Sequence, residues 1–511
     1  MELSRTSAGK SALLLTLLAV VSQTLGFGYR VVLSRLVGAE VMGLYQLVMP
    51  VYSVLLSLSA VGLASAVSNL TPQHLALGNS RGAAQTLSLC LRLFFLLLLP
   101  MGLVVIPASD AISVHLLGDA RTQLGLILLI PCVALTGVEN IHKHYFYGSS
   151  QVVQPALVEL LEQFIRTAAV LGLLILFLPQ YPERVVGLIV AGMVICEVFS
   201  ALTLATLYRR RQSRTALSGP GETPRIRLGR VASIALPVGA NALLGNLMGA
   251  VNAALIPQKL MAAGLERTDA ISQLGVVCGM TMPMLALPTV FLGPMNLILI
   301  PRLARAVALG RPGEIRRLAD RAITAVALLI LPSMSLLVVL GPDLGSLLYG
   351  RTDVGRYLVP LASTMTLSCL CSVLGAVLNG VGGQRAVAAV SLLGGAVQLF
   401  LSVTLIPLPG VGMAGYVAGV LLSTVLEAFL YLILALRRTG LRLCLFRWMI
   451  APGLASLLAG LTAQPLLRCV KDAGLTALPA GAVSLVFGLI LYLSALSAQG
   501  IDWRGSLRIR W

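Results

Sequence analysis

Four polar residues fall on one face of an otherwise apolar segment at positions 153–178. They are Glu159, Glu162, Gln163 and Arg166, and at about 100° per residue they share one side of a helix. Glu162 precedes Arg166 by four residues, which is the favourable orientation for an ion pair along a helix. A charge inside hydrocarbon is costly, so it is normally paired or faces water. The stripe therefore predicts either a self-neutralising pair that packs helices or the polar wall of a substrate pathway, with Glu159 left as an unpaired second carboxylate.

Two further segments carry a line of polar side chains that ends in a cation. Gln23 and Arg30 are seven residues apart in segment 11–36, and Asn241, Asn252 and Lys259 share one side of a helix that begins near position 231. Snorkelling of long cationic side chains to the membrane interface would explain the two cations but not the polar residues that lead to them. A wet central cavity explains both lines, and it makes all five residues candidates for substrate binding.

Glu197 and Glu427 are single carboxylates inside two other apolar segments, 230 residues apart. A carboxylate in such a place is neutral, hydrogen-bonded or bound to a cation. The two residues are therefore candidates for a metal or coupling-cation site. We expect Na+ or H+ as the coupling ion and no resident cofactor.

The sequence contains no complete motif of the two enzyme classes considered, nucleotide-binding enzymes and zinc proteases. Gly9, Lys10 and Ser11 resemble the end of a phosphate-binding loop, but the glycine that the loop requires five residues earlier is Ser4. The sequence also contains no H-E-x-x-H zinc motif. We therefore expect a protein that is not an enzyme.

The elements that must position these residues are membrane-spanning helices. Of the 511 residues, 57% are hydrophobic and 11% are charged, and the mean hydropathy is +0.93, whereas soluble proteins carry about 25% charged residues. About fourteen apolar runs are long enough to cross roughly 30 Å of hydrocarbon. The sequence therefore predicts an all-α polytopic membrane protein with about 14 transmembrane helices. The eighth run, 271–300, carries Pro283, Pro288 and Pro294 and should be bent.

A repeat at an offset of 232 residues organises these helices. Glycine or proline recurs at that offset in four pairs: Gly78 and Gly310, Pro100 and Pro332, Gly118 and Gly350, Gly148 and Gly380. Parallel repeats of this kind are typical of transporters that bind substrate between two halves. We predict an N-terminal six-helix lobe at 1–208, a basic cytoplasmic linker at 209–230, a second six-helix lobe at 231–437, and two additional helices with a basic tail at 438–511.

The basic residues indicate the orientation in the membrane. The net charge is +18, from 37 Lys and Arg against 19 Asp and Glu. Most of these cations lie at the termini and in alternate loops, including the linker at 209–230, so the positive-inside rule places both termini in the cytoplasm. Membrane topology and membrane lipids thus account for the charge, and we expect no nucleic-acid partner.

Three stretches together resemble a known family. They are G-L-Y-Q-L-V-M-P-V-Y-S-V-L-L-S-L-S-A-V-G-L-A-S-A-V-S-N-L at Gly43 to Leu70, E-Q-F-I-R at Glu162 to Arg166, and G-M-T-M-P-M-L-A-L-P-T-V at Gly279 to Val290. They are similar to the stage V sporulation protein B group of polysaccharide transporters. That group belongs to the multidrug/oligosaccharidyl-lipid/polysaccharide (MOP) flippase superfamily.

The resemblance implies both a fold and a function. The implied fold has two six-helix lobes around a central cavity and two extra C-terminal helices. The implied function is to flip an undecaprenyl-pyrophosphate-linked saccharide, such as a lipid II-like peptidoglycan precursor, across the cytoplasmic membrane by alternating access. The resemblance also implies cell-wall synthesis enzymes as partners and a link to sporulation.

Two other functions stay open from the sequence. A cation-coupled exporter of drugs would belong to the same superfamily, and it would favour acidic rather than basic cavity residues. A membrane scaffold for cell-wall enzymes would need no cavity residues at all.

Overall fold

The structure, a computed structural model, describes residues 2–214, 218–220, 223–474 and 477–501. The predicted basic tail beyond Ile501 lies outside these residues, as do parts of the predicted linker. The described residues form helices joined by turns and short loops, and they contain no strand. Helices are the expected form, because each satisfies its own backbone hydrogen bonds in hydrocarbon.

The chain forms two compact units, and each is described on its own. The first comprises 1–258 and 267–275, and the second comprises 259–266 and 276–511. The helices that begin in the first unit are α1 (Glu2–Leu56), α2 (Gly62–Ala76), α3 (Ser80–Val105), α4 (Ser109–Ala111), α5 (Gln123–Gly148), α6 (Val153–Phe177), α7 (Val185–Arg214), α8 (Pro224–Ala262) and α9 (Arg267–Leu274). Those of the second unit are α10 (Met282–Ala286), α11 (Leu292–Ala308), α12 (Pro312–Tyr349), α13 (Leu358–Gly380), α14 (Gln384–Leu405), α15 (Met413–Thr439), α16 (Ala451–Asp472) and α17 (Ala477–Ala498).

Thirteen segments of the described chain are long and apolar enough to cross a membrane. The first, Leu17–Ala76, has 60 residues, whereas a helix of about 20 residues already spans the hydrocarbon layer. It bends at Gly38, whose φ of 78° and ψ of 175° are not helical, so it contains the first two predicted spans. The polytopic all-α fold is therefore confirmed, with a span count close to the predicted 14.

Helix α8 packs with the first unit, although the repeat assigned it to the second lobe. A Cβ atom on Gly62 would lie 2.2 Å from the carbonyl oxygen of Ala235, so only glycine permits this approach of α2 and α8. Asn246 Nδ2 also donates to Ser57 Oγ at 2.6 Å. The chain divided by its contacts and the chain divided by its sequence repeat thus assign α8 to different halves. The arrangement of six helices in each of two lobes stays a prediction.

The eighth predicted span is interrupted rather than continuous. After α9 the chain forms a π-helical turn at Gly275–Thr281, then α10, a 3-10 turn at Leu287–Thr289, and α11. Pro283 and Pro288 stand in this stretch, and each lacks the backbone N–H that a regular helix would use. The interruption of the regular helix thus coincides with two of the three prolines.

The two extra C-terminal helices pack on α12. Ser335 Oγ donates to the carbonyl oxygen of Ser456 at 2.7 Å, which joins α12 to α16. Tyr492 OH donates to the carbonyl oxygen of Leu328 at 3.0 Å, which joins α12 to α17. Both contacts are side chain to backbone, and both lie within helices that cross the membrane.

Candidate functional site

Three neighbouring helices of the first unit bring charged side chains together inside the membrane-spanning region. Helix α5 contributes Glu139 and Lys143, α6 contributes the predicted stripe, and α7 contributes Glu197. Glu139, Glu162 and Glu197 are 4%, 7% and 2% exposed, so none of these carboxylates is solvated as it would be at a surface. Charged groups with so little exposure must be stabilised by each other.

Arg166 on α6 joins one group of residues in this cluster, namely Glu162, Cys196 and Glu197. Its Nη2 forms an ion pair with Glu162 one turn earlier on α6 and lies 3.5 Å from Glu197 Oε1 on α7. Its Nε donates to Cys196 Sγ at 3.4 Å. The ion pair predicted within α6 is therefore present, and it also extends to the next helix.

Lys143 on α5 forms ion pairs with the other two carboxylates of the cluster, Glu139 and Glu159. Its Nζ lies 2.7 Å from Glu159 Oε2 on α6 and 3.7 Å from Glu139 Oε1 on its own helix. The prediction that Glu159 is unpaired is wrong, because a cation from α5 reaches it. Sequence reasoning missed Glu139 and Lys143, although their spacing of four residues inside an apolar run was the same signal that revealed Glu162 and Arg166.

The cluster could hold a cation only by displacing Arg166. The ligand atoms of Glu162, Cys196 and Glu197 lie within 4.8 Å of one another, as a metal site would require. However, the guanidinium of Arg166 already contacts all three side chains. It supplies the positive charge that a metal ion would bring, so this geometry favours a permanent ionic link over an open site.

The predicted residues of α1 differ from this cluster in exposure. Gln23 and Arg30 are exposed, and Arg30 forms no ion pair with any carboxylate of the described chain. Tyr29 beside it is buried, and its hydroxyl has no hydrogen-bond partner in the described residues. Arg30 is thus a cation in a membrane-spanning helix for which the described residues supply no carboxylate counter-ion.

The sequence matches the family described as Polysaccharide biosynthesis protein over residues 8–307. This match covers more than half of the chain. The chain belongs to the polysaccharide biosynthesis protein family.

Similarity to a characterised protein supports the family assignment. The chain is 25% identical over 426 residues to Stage V sporulation protein B of Bacillus subtilis (strain 168), covering 82% of each protein. The resemblance inferred from the three sequence stretches is confirmed.

Solved structures of the MOP superfamily share the fold. The chain resembles the lipid II flippase MurJ in an inward closed conformation with a TM-score of 0.69 and 12% identity, covering 97% of this chain and all of that one. It resembles an inward-facing MATE family multidrug resistance transporter with a TM-score of 0.68 and 14% identity, covering 84% of this chain and 98% of that one. At these identities the likeness concerns the fold.

The three remaining residues predicted to bind substrate, Asn241, Asn252 and Lys259, lie on α8. Asn241 is exposed, whereas Asn252 is buried, and Asn252 Oδ1 accepts no hydrogen bond from the described residues. Lys259 is half-buried and belongs to the second unit. The polar line predicted on this helix therefore does not have a uniform environment.

Glu427 lies outside the family match, on α15 of the second unit. It lines a cavity of about 330 Å³ together with polar residues of α11, α13 and α14. Its carboxylate forms no ion pair with a described residue. Of the two carboxylates predicted as cation candidates, Glu197 thus has a cationic partner, and Glu427 has none among the described residues.

Proposed function

We propose that this protein flips an undecaprenyl-pyrophosphate-linked saccharide across the cytoplasmic membrane by alternating access. The cargo would be a lipid II-like peptidoglycan precursor or a polysaccharide precursor. Membership of the polysaccharide biosynthesis family supports this class of cargo. The fold shared with a lipid II flippase supports the mode of transport.

The observation that carries the proposal is the charge of Arg30, which no carboxylate of the described residues neutralises. Arg166 is also within a membrane-spanning helix, but two carboxylates neutralise it. Arg30 is exposed on α1, and no carboxylate of the described residues pairs with it. An uncompensated guanidinium inside a membrane segment needs water or an anion as its partner.

A pyrophosphate head is an anion of suitable chemistry for this role. It carries about two negative charges, and transferring such a group out of water is prohibitive unless cations compensate it. Guanidinium binds phosphate oxygens through two parallel hydrogen bonds, which are among the strongest contacts that protein groups form. We therefore assign Arg30 to the pyrophosphate, with Gln23 and Asn241 as exposed polar groups for the sugar. Lys259 stays a predicted second cation.

The proposal includes an orientation and an energy source. Both termini and the basic linker would face the cytoplasm, as the positive-inside rule predicts. Entry of Na+ or H+ would drive the cycle. Cell-wall synthesis enzymes that make or use the saccharide would be natural partners.

Flipping by the purified protein in proteoliposomes tests the proposal. Fluorescent lipid II and a polyprenyl phosphate sugar would be compared, with bleaching of the outer leaflet as the readout. We expect Arg30→Ala to abolish flipping, at least about a tenfold loss, because one charge-assisted contact contributes about 1.5–3 kcal/mol. Arg30→Lys should retain part of the activity, because it keeps the charge but loses the fork. Lys259→Ala should have a smaller effect.

Arg92→Ala is the matched control for Arg30→Ala. Arg92 is also an exposed arginine within a membrane-spanning helix, on α3, so its loss reports the general effect of removing such a charge. Normal flipping by Arg30→Ala would contradict the proposed headgroup contact. Equal loss in both variants, at normal protein level, would show that Arg30 has no specific role.

A cation-coupled drug exporter is the second candidate. One observation favours it: among the described residues, the cluster of α5, α6 and α7 contains more carboxylates than cations. Four carboxylates pair there with two cations, Lys143 and Arg166, and they are Glu139, Glu159, Glu162 and Glu197. An acidic interior suits cationic drugs. Drug efflux that requires Glu197 and persists in Arg30→Ala would favour this function over the flippase.

A further inference from the structure

A cavity of about 560 Å³ lies between α3, α5 and α7 of the first unit. Phe95 on α3 and Leu202 on α7 line it and are themselves exposed, so the cavity is open at the surface of these helices. Around it, α3 also exposes Leu96, Leu97 and Leu99. A continuous exposed apolar surface of this kind on a membrane-spanning helix is a surface that contacts lipid.

The cavity has one polar end and one apolar end. On α7, Arg209 and Leu202 line it seven residues apart, which is about two turns of helix. On α3, Ser88 and Phe95 line it with the same spacing. Helix α7 ends at the linker, and a linker residue hydrogen-bonds to the first residue of α3. The polar end of the cavity therefore adjoins the linker, and the apolar end lies deeper in the membrane.

The polar side chains at the linker end have no partners within the described chain. Arg209 is exposed, and its guanidinium has no carboxylate to neutralise it. Four lining residues form no side-chain hydrogen bond or ion pair with a described residue: Ser88, Tyr208, Arg209 and Gln212. Such groups at the edge of the hydrocarbon layer need water or a polar ligand as their partner.

His142 on α5 adds a buried polar atom to the same cavity. The residue is only 5% exposed, and it lines the cavity. Its Nδ1 lies 2.7 Å from the carbonyl oxygen of Val138, and because a carbonyl only accepts, Nδ1 is the donor. Its Nε2 has no hydrogen-bond partner among the described residues. In the neutral ring Nε2 is therefore an unused acceptor.

A second cavity of the same unit lacks these features. It has a volume of about 410 Å³ and lies between segment 57–63, α3 and α8. Its two serines, Ser57 and Ser59, donate to carbonyl oxygens of their own helix at 2.8 and 2.7 Å, and its other lining residues are apolar. Lipid chains can fill such a gap without any specific contact. The unpartnered polar end therefore distinguishes the cavity between α3, α5 and α7.

The two ends of this cavity together define the chemistry of its occupant. The uncompensated guanidinium of Arg209, with Arg210 and Arg211 next to it, attracts an anion. The apolar end requires a hydrocarbon chain, which a soluble anion does not have. A zwitterionic lipid carries its own cation beside its phosphate. An anionic phospholipid satisfies both ends, and basic pockets between membrane helices bind such headgroups.

We propose that this cavity binds an anionic phospholipid of the leaflet that adjoins the linker. The lipid phosphate contacts Arg209, and one acyl chain lies between Phe95 and Leu202. A headgroup hydroxyl, as in phosphatidylglycerol, donates to His142 Nε2. The site is separate from Arg30 on α1, so it does not depend on the transport function proposed above.

Thermal unfolding of the full-length protein in detergent tests the site. A ligand that binds only the folded state raises the unfolding midpoint. The midpoint would be measured against increasing phosphatidylglycerol and against phosphatidylcholine with the same acyl chains. Arg209→Gln removes the charge, and Arg210→Gln is the matched control, because Arg210 is the next exposed arginine of the same helix and does not line the cavity.

Phosphatidylglycerol should raise the midpoint of the wild type and of Arg210→Gln at the same lipid concentrations. Arg209→Gln should need at least about tenfold more of it, because one charge-assisted contact is lost. Phosphatidylcholine should have little effect on any of the three proteins. Equal responses of Arg209→Gln and the wild type to phosphatidylglycerol would overturn the site.

A steric variant tests the position of the acyl chain and leaves every charge in place. Ala205 on α7 lines the cavity between its two ends, whereas the neighbouring Thr206 is exposed and does not line it. Ala205→Phe should fill the cavity and weaken the response to phosphatidylglycerol at least about tenfold. Thr206→Phe should respond like the wild type. Equal responses of the two variants would contradict the proposed position of the lipid.

His142→Phe tests the contact with the headgroup. The variant keeps an aromatic ring beside Tyr208, whose ring centroid lies 5.6 Å from that of His142, and it removes Nε2. We expect it to need about two- to tenfold more phosphatidylglycerol than the wild type, as for the loss of one neutral hydrogen bond. An unchanged response would contradict the contact proposed for His142.

Two other occupants would each give a different result. Glycerol phosphate carries the headgroup charge without acyl chains, and stabilisation by it equal to that by phosphatidylglycerol would show a site for a soluble anion. Undecaprenyl phosphate would test the carrier lipid of the proposed cargo. Stabilisation by it that exceeds that by phosphatidylglycerol and is lost in Arg209→Gln would assign the cavity to that carrier. Either result would overturn the assignment to a phospholipid.

Discussion

Arg166 Nη2 on α6 lies 3.5 Å from Glu197 Oε1 on α7. This contact turns a pair within one helix into a link between two helices. The side chain of Glu197 is only 2% exposed, so its charge depends on this guanidinium for stabilisation. The link also fixes the spacing of α6 and α7 at the level of Cys196, which accepts a hydrogen bond from Arg166 Nε.

Replacing Arg166 by glutamine should therefore destabilise the folded protein strongly. The change leaves Glu162 and Glu197 close together without a cation, and removing one partner of a buried ion pair costs about 3–5 kcal/mol. We expect a lower thermal unfolding midpoint in detergent for Arg166→Gln. Arg30→Gln should have little effect on the midpoint, because Arg30 is exposed and has no carboxylate partner among the described residues.

A charge swap provides the stricter check of the three-residue link. Glu162→Arg combined with Arg166→Glu would restore an isolated pair within α6, but it would place a glutamate beside Glu197. We expect the swap to remain destabilised and Arg166→Gln combined with Glu197→Gln to recover part of the loss. Full recovery by the swap would mean that Glu197 does not share the charge of Arg166.

The helices were predictable because their signal is local. Long apolar runs require helices in hydrocarbon, and this gave the all-α polytopic fold. The interruption near Pro283 and Pro288 was predictable because proline lacks a backbone donor. The packing of α8 on the first unit was not, since it depends on the fit of Gly62 against Ala235, which no repeat offset encodes.

The site was predictable only along single helices. Helical spacing identified Glu162 and Arg166 as a pair, but it could not show that Lys143 of another helix reaches Glu159. The same limit applies to Asn241 and Asn252, which share a side of α8 yet differ in exposure. They are eleven residues apart, so different neighbours cover them along the helix axis.

Asp119 should give the protein an acid-sensitive contribution to stability. Its carboxylate lies outside the membrane-spanning segments. It accepts hydrogen bonds from Arg121 Nε at 3.1 Å and from the Arg121 backbone N–H at 2.9 Å. Arg267 Nη2 lies 3.5 Å from the same carboxylate. Burial alone would raise the pKa of this carboxyl, but the hydrogen bonds from Arg121 and the charge of Arg267 outweigh burial and lower it. A lowered pKa in the folded state stabilises above the unfolded value of about 3.9, and the effect is lost as the pH falls through the folded pKa.

The variant Asp119→Asn measures this contribution. At neutral pH we expect a loss of about 1.5–3 kcal/mol, typical of hydrogen bonds to a charged group. The difference from the wild type in unfolding midpoint should shrink below about pH 4. Asp110→Asn is the control, because Asp110 is an exposed aspartate nearby. A difference between Asp119→Asn and the wild type that is constant with pH would contradict the ionic role.

The orientation in the membrane can be measured with two single cysteines. Thr223 precedes α8 in the predicted cytoplasmic linker, Thr352 lies between α12 and α13, and both are exposed. Seven arginines of the linker should hold it in the cytoplasm, because basic loops are retained there. They are Arg209, Arg210, Arg211, Arg214, Arg225, Arg227 and Arg230. In a background with the exposed Cys444 and Cys469 changed to serine, an impermeant maleimide on intact cells should label Thr352→Cys but not Thr223→Cys. Both should react after the membrane is permeabilised. Labelling of Thr223→Cys from outside would reverse the assigned orientation, and the cytoplasmic entry of the lipid-linked saccharide would then have to be abandoned.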